Sequence, residues 1–447
     1  MAAPALLPRR ERRPHREEAL ELFRRKWEAL PQKLRRPQQL AGVAAVGCGA
    51  THSVMERCNF SCTSCYLSDL ANTSEPLPFS EVQIQLEALR RHLGEGGKVQ
   101  ITSGEVTLLS SEDLGKIVSY AKSLGLDPMI MTNGERLLEE PDYLRSLVGD
   151  FGLEKISIHV DTTERGRRGM PRGGRERDVH PIRERFARLI QDVRRSTGRP
   201  LHAAQTITVT EANLEDVPDV ASWALDHADT FRIVSFQPVA AVGRTRDRSA
   251  PDVGLDAVWE RIGRAAGRPL NRYAMFFGHD ACSITVPVIV ARFGAARHVV
   301  EVVREGFPLD LHVFQWVIRN LSGVVELNEG VAINLARVSK TLLSRPHRLA
   351  HLLVYGIYRA WGERHWLRRV LVKPWRVGWF RAHPLLFVVH KFMNAEELET
   401  PLGKERLRAC VFKLPVTGRM VSMCEVNATG IRRELNAASR SGSNRRV

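Results

Sequence analysis

The chain has 447 residues, 43% hydrophobic and 26% charged, with seven cysteines and a formal net charge of +16. That balance excludes a disordered or collagen-like chain, and the length suits one large domain with a smaller C-terminal part. The excess of cations points to polyanions or anionic lipid head groups as partners.

Residues 1–45 form a basic arm opening on Arg9, Arg10, Arg12, Arg13 and Arg16. No apolar run follows these arginines as a secretory signal requires, and none is long enough to span a bilayer. The expected location is the cytoplasm, with a peripheral place on the inner face of the membrane. Within the arm, Leu20, Phe23, Trp27 and Leu30 have helical spacing over Glu17–Leu30.

From 46 to 245, strand and helix patterns alternate. Thr51–Arg57 reads as a strand, followed by a cysteine loop. Ser80–Leu93 reads as a helix capped by Ser80, and Lys98–Thr102 as a strand. Helix Ser111–Leu124, strand Met129–Thr132, helix Glu135–Val148 and strand Lys155–Val160 follow. Helix Ile182–Arg195, strand Ala203–Val209, helix Leu214–Ala224 and strand Arg232–Phe236 complete the series. Such alternation predicts an α/β fold, a partial (β/α)6 barrel of parallel strands with right-handed crossovers. Cys58, Glu105, Asn133, Asp161, Thr208 and Gln237 then fall at the C-terminal ends of strands, where barrels of this kind carry their active sites.

Residues 246–436 read as a basic, largely helical C-terminal extension, and 437–447 as a disordered tail. Within the extension, Lys340–Met393 holds eleven Lys or Arg against one acid, Glu363, together with Trp361, Trp366, Trp375 and Trp379. Cations and aromatics beside short apolar runs suit a membrane interface. Core helices with a solvated basic face, and single-stranded nucleic acid, are the competing readings; the continuous apolar runs favour lipid over nucleic acid.

Met55–Leu67 reads MERCNFSCTSCYL, so Cys58, Cys62 and Cys65 have the spacing C-x3-C-x2-C. In a reducing compartment such clustering points to metal rather than disulfides. Three thiolates on a curling loop hold three irons of a [4Fe–4S] cluster and leave the fourth open to a chelating ligand. A zinc knot is the rival, but zinc needs a fourth ligand and no second C-x2-C or HxxxH lies near.

This loop resembles the hallmark of the radical SAM superfamily. The resemblance implies a cluster on Cys58, Cys62 and Cys65 whose open iron binds S-adenosyl-L-methionine. It also implies reductive cleavage of that cofactor, an electron donor such as flavodoxin or ferredoxin, and hydrogen abstraction from a substrate. Ser103-Gly104-Glu105-Val106 is similar to the family's Gly-Gly-Glu-Pro, with serine and valine as departures. Glu105 then stands to receive the methionine amino group, and Gly104 lets the backbone approach. Asn133 in Met131-Thr132-Asn133-Gly134 and Ser157 complete the expected cofactor contacts; Asn-Gly is also an ordinary turn signal. Where the family often has an aromatic before the third cysteine, this chain has Ser64, with Tyr66 after it. His159 reads as a packed histidine rather than an acid or base.

Many radical SAM enzymes carry a further cluster in a C-terminal extension. Cys282, Cys410 and Cys424, with Cys48 or His279, are the residues for one here; buried structural cysteine is the alternative. Cys410–Arg432 is similar to tails of radical SAM proteins of the tetraether-lipid synthase type. The expected function is radical chemistry on a lipid or other hydrophobic substrate. A peptide-modifying radical SAM enzyme and a basic binding protein with a structural metal are the rivals.

Overall fold

The computed structural model describes residues 15–42, 46–171, 173–245, 253–294, 296–321, 346–364 and 380–440. Six strands alternate with helices as expected: β1 Cys48–Ala50, β2 Lys98–Ile101, β3 Asp127–Thr132, β4 Lys155–His159, β5 His202–Val209 and β6 Phe231–Pro238. Each pairs in parallel with the next, from β1–β2 through to β5–β6. The C-terminal residues add β7 Ser283–Phe293, β8 Ala296–Glu301, β9 Phe380–His390, β10 Phe412–Val416 and β11 Arg419–Ser422. One eleven-stranded sheet results, in the order β11-β10-β1-β2-β3-β4-β5-β6-β9-β7-β8.

The extension therefore widens the barrel at both edges. β10 lies parallel beside β1, and β9 lies parallel beside β6. The sheet curls until the end of β9 reaches the start of β10. There the His390 and Phe392 rings each stand 6.4 Å from Phe412. One apolar core fills the space between sheet and helices, from Leu86 and Leu89 through Phe186 and Ile190 to Phe231 and Phe387, all buried.

Several expectations are corrected. The first strand is Cys48–Ala50, not Thr51–Arg57, because Ser53 at φ 56° turns the chain out of the sheet. Ser80 is not a cap; the helix Phe79–Leu93 starts after Pro78 with no side-chain cap. Glu135–Val148 is two helices, Glu135–Glu139 and Pro141–Gly149, since Pro141 has no N–H to continue the first. Leu214–Ala224 begins as a 3-10 turn, Glu211–Asp216, before the helix Val217–Asp226.

The basic segment 340–393 is not one interface piece. Its last part, β9, is a central strand whose Leu385, Phe387 and Val389 are fully buried. Pro384 is tolerated there because β6 pairs only with Leu386–Val389, so the proline lies past that ladder. The preceding part is the helix Pro346–Gly362; residues 340–345 and 365–379 lie outside the described residues. Residues 437–440 of the expected tail belong to the helix Ile431–Arg440, whose Ser439 hydroxyl donates to the Glu75 carbonyl (2.8 Å).

Candidate metal centre and cavity

Side chains alternate across a strand, so every second residue of the parallel strands faces the barrel interior. Met129 and Met131, Ser157 and His159, Ala204, Thr206 and Thr208, and Ile233, Ser235 and Gln237 all line one cavity of about 650 Å³. Cys58, Cys62 and Cys65 line it too, as do Ser103, Gly104, Glu105 and Asn133. The C-x3-C-x2-C loop and, of the strand-end residues named from the sequence, Glu105, Asn133, Thr208 and Gln237 thus share one space; Asp161 lies buried behind it.

The cysteine loop is held on several sides. Ser61 and Thr63 donate backbone N–H to the carbonyls of Arg165 and Thr163 (both 2.9 Å), in the loop after β4. The Cys58 N–H donates to Asn72 Oδ1 (3.0 Å), and the Cys65 N–H to Thr245 Oγ1 (3.2 Å). Two donors reach sulfur: the Phe60 N–H on Cys58 (3.4 Å) and the Arg244 guanidinium on Cys65 (3.5 Å). Burial pushes the free Cys58 thiol up to about 12 and raises Cys62 as well, with the carboxylate of Glu164 adding to it. Thiolates here need a strong nearby positive charge, which cluster iron supplies.

Gly104 binds the loop to β2. Its N–H donates to the Met55 carbonyl and that of Glu105 to the Arg57 carbonyl (both 2.9 Å). A Cβ at Gly104 would lie 2.2 Å from the Glu56 carbonyl oxygen, so only glycine fits. Ser103 is buried with a hydroxyl that has no partner in the protein, at the cavity wall. A buried hydroxyl without a partner is costly and invites a ligand. The sites therefore fit both groups the sequence implies, cluster and S-adenosylmethionine.

The other expected contacts are mostly engaged within the protein. Glu105 Oε1 accepts from the Thr107 N–H (2.9 Å), the Thr107 hydroxyl (2.5 Å) and the Thr132 hydroxyl (2.6 Å). Its Oε2 accepts from the Asn133 N–H (2.6 Å), leaving that oxygen room for one more donor. Asn133 gives its amide to Asn59 Oδ1 (2.8 Å), tying β3 to the cysteine loop. Ser157 shares a hydrogen bond with Thr206 (3.0 Å). Tyr66 donates to the Ser103 carbonyl (2.6 Å) and lies under the Arg432 guanidinium (4.9 Å).

His159 corrects the reading of a packed histidine. It lines the cavity and holds Asp161 at 2.5 Å, with Thr208 at 3.3 Å. Burial opposes its charge, but the Asp161 carboxylate outweighs burial and lifts His159 to about 9. The spacing His159-x-Asp161 was the available signal, since residues two apart share a strand face. Arg244, Asn59 and the buried Arg167, which bonds the Asn133 and His159 carbonyls (2.6 and 3.0 Å), carried no such signal.

Cys48, Cys282, Cys410 and Cys424 line the same cavity, around the seam of β9 and β10. Each is raised by burial, Cys48 and Cys424 to about 12 and Cys410 to about 11, and each of these three also feels a neighbouring cysteine of the set. The Met393 N–H donates to Cys424 Sγ (3.4 Å) and Arg406 Nε to Cys282 Sγ (3.2 Å). His279 has both ring nitrogens engaged, by the Ala281 N–H (3.0 Å) and Glu405 (3.1 Å), so Cys48 is the better fourth member. Among the described residues, no three His, Cys, Asp or Glu converge on a single metal ion. A cluster spreads its thiolates, one to each iron.

Parallel strands wall the cavity that the three thiols line. Residues 52–224 match the Radical SAM superfamily. Over these residues the chain is similar to the radical SAM domain, whose superfamily uses a [4Fe–4S] cluster and S-adenosylmethionine.

It is similar to a 7,8-dihydro-6-hydroxymethylpterin dimethyltransferase of Methanocaldococcus jannaschii, 27% identical over 205 residues, 45% of this chain and 38% of that protein. It is also similar to GTP 3',8-cyclase 1 of Pseudomonas aeruginosa, 28% identical over 203 residues, 44% of this chain and 56% of that protein. The chain thus spans about half or less of the curated relatives it matches. Among solved structures, methylornithine synthase matches 56% of this chain and 70% of its own, at 14% identity and TM-score 0.30. Native anSMEcpe with bound AdoMet matches 42% and 50%, at 15% identity and TM-score 0.29.

Proposed function

We propose that this chain cleaves S-adenosylmethionine reductively and takes hydrogen from a lipid or other hydrophobic substrate held in the barrel cavity. The observation that carries the reading is the shared cavity: three thiols, the orphaned Ser103 hydroxyl and the Gly104 cradle open into one space. Cys58, Cys62 and Cys65 hold the cluster, and Ser103, Gly104 and the free side of Glu105 receive the methionine end of the cofactor. When bound, the cluster supplies the electron that splits the sulfonium C–S bond and leaves a carbon radical strong enough for an unactivated C–H bond.

The protein's own work is placement and exclusion of water. Arg244 steadies the charge on Cys65, and Asn133 with Asn59 fixes the loop against β3. The hydrophobic substrate is supported by the walls, where Met129, Met131, Ile233, Val388, Phe392 and Met393 face inward. About 650 Å³ falls within the usual roughly 300–1,000 Å³ of small-molecule sites. Cys48, Cys282, Cys410 and Cys424 hold a second cluster in this reading. The electron donor is a small redox protein such as flavodoxin or ferredoxin. A lipid substrate would bring the chain to a membrane surface; none of the described helices is long and apolar enough to cross one.

The test is anaerobic reconstitution with iron and sulfide, then dithionite and S-adenosylmethionine, assayed for 5′-deoxyadenosine. Product that disappears in Cys58→Ala supports the reading, and its absence from reconstituted wild type overturns it. Comparing lipid extracts of a deletion strain and its parent tests the substrate; unchanged lipids with an altered peptide overturn the lipid assignment.

A further inference from the structure

Amphipathic helices ordinarily turn their apolar stripe to the core. The helix Pro346–Gly362 turns its stripe away. Its inward side is polar: the Tyr355 hydroxyl (2.9 Å) and Arg359 Nη1 (3.0 Å) both donate to the buried Asp310. Arg359 also donates to the Glu301 and Val302 carbonyls, and Glu363, just past the helix, pairs with His298 (2.8 Å).

Its outward side carries Leu353, Val354, Ile357, Tyr358 and Trp361, spaced as neighbours on one helical face. Ile357 is 71% exposed and Trp361 68%. Phe307 and Leu309, also exposed, enlarge the patch, and Arg304 stacks on both Phe307 (4.1 Å) and Tyr358 (5.3 Å). The helix cannot roll to hide this stripe without breaking its bonds to Asp310. Contiguous exposed apolar surface of this kind marks an interaction site.

Charge decides the partner. Asp310 and Glu301 are buried beneath the helix and Glu363 pairs with His298, so Glu305 is the exposed acid beside the patch, against Arg304 on Phe307 and Tyr358 and Arg364 over Trp361 (5.5 Å) at the outer end. The surrounding sequence 340–393 holds eleven cations and one acid, in a chain of net charge +16. An apolar stripe with tryptophan and tyrosine, flanked by Arg304 and Arg364, matches the head-group layer of an anionic bilayer.

We infer that the face Leu353–Trp361 is a docking surface for an anionic lipid bilayer, with the helix lying in the plane of the head groups. The inference goes beyond the catalytic reading and stands whether or not S-adenosylmethionine is cleaved. The test uses the purified full chain, without cofactor or reductant. It is sedimented with vesicles of phosphatidylcholine alone or mixed with phosphatidylglycerol.

Wild type should sediment with the mixed vesicles, less with phosphatidylcholine alone, and less in high salt. Ile357→Glu with Trp361→Glu should lower the bound fraction roughly tenfold while the circular dichroism spectrum stays as in wild type. Leu353→Gln with Val354→Gln is the milder second pair, for use if the first does not fold. Failure of wild type to sediment with either vesicle overturns the inference, as does equal binding by folded variants. A doubled mass in solution that Ile357→Glu restores to one chain also overturns it, and assigns the face to self-association.

Discussion

A histidine that stays charged inside a cavity needs a counter-charge, and Asp161 gives His159 one at 2.5 Å. His159 is held above its ordinary 6.5, at about 9, so its contribution to stability is full below pH 6.5 and is lost as pH rises through about 9. Asp161 is held below its ordinary 3.8, toward about 2: burial works against this, and the charge on His159 prevails. Its contribution is present above pH 3.8 and fades as pH falls through about 2. The melting temperature of His159→Asn should therefore trail wild type most between pH 3.8 and 6.5, with the gap closing toward pH 9. A gap independent of pH would refute the ion pair. At the same scale, Arg432→Met removes the partner of the buried Glu56 (3.0 Å). Stranding that carboxylate should cost about 3–5 kcal/mol in denaturant unfolding.

Among the elements, those that the sequence revealed best are the ones whose periodicity is undisturbed. β2 to β6 sit within two residues of their expected bounds, because apolar alternation between glycine and turn residues leaves little choice. β9 was hidden: Pro384 and the flanking histidines and arginines disguise a strand whose burial comes from β6 and β7, distant in sequence. Of the site, the three clustered cysteines were legible because their ligand spacing is local. The His159–Asp161 pair was half legible, and Arg244, Arg167 and Asn59 were not, since long-range folding alone brings them in. Phe387→Ala should cost about 3–5 kcal/mol, measured by chemical denaturation, if β9 is the central strand described. Gly104→Ala forces a Cβ onto the Glu56 carbonyl. Reconstituted iron should fall sharply in that variant; wild-type iron content would show that the loop does not depend on the cradle.

For the molecule as a whole, the extension widens the sheet at both edges. β10 covers one side of β1, and β9 brings Cys282, Cys424 and Arg406 to the seam. If the four seam cysteines hold a second cluster, the reconstituted chain should carry about eight irons, and Cys282→Ala about four. That variant should still form 5′-deoxyadenosine, because Cys58, Cys62 and Cys65 are untouched. Four irons in wild type would remove the second cluster from the scheme.

The placement of β10 also bears on how the chain is made. β1 is three residues long, yet one flank of it is covered by Phe412–Val416, made long after it. Until Phe412–Val416 arrives, the nascent protein presents an open sheet edge and a Glu56 whose Arg432 does not yet exist. The cysteine loop next to Glu56 is therefore finished only once the extension through Arg432 has been made, and metal loading is expected to follow it, with aggregation of the unfinished chain as its competitor.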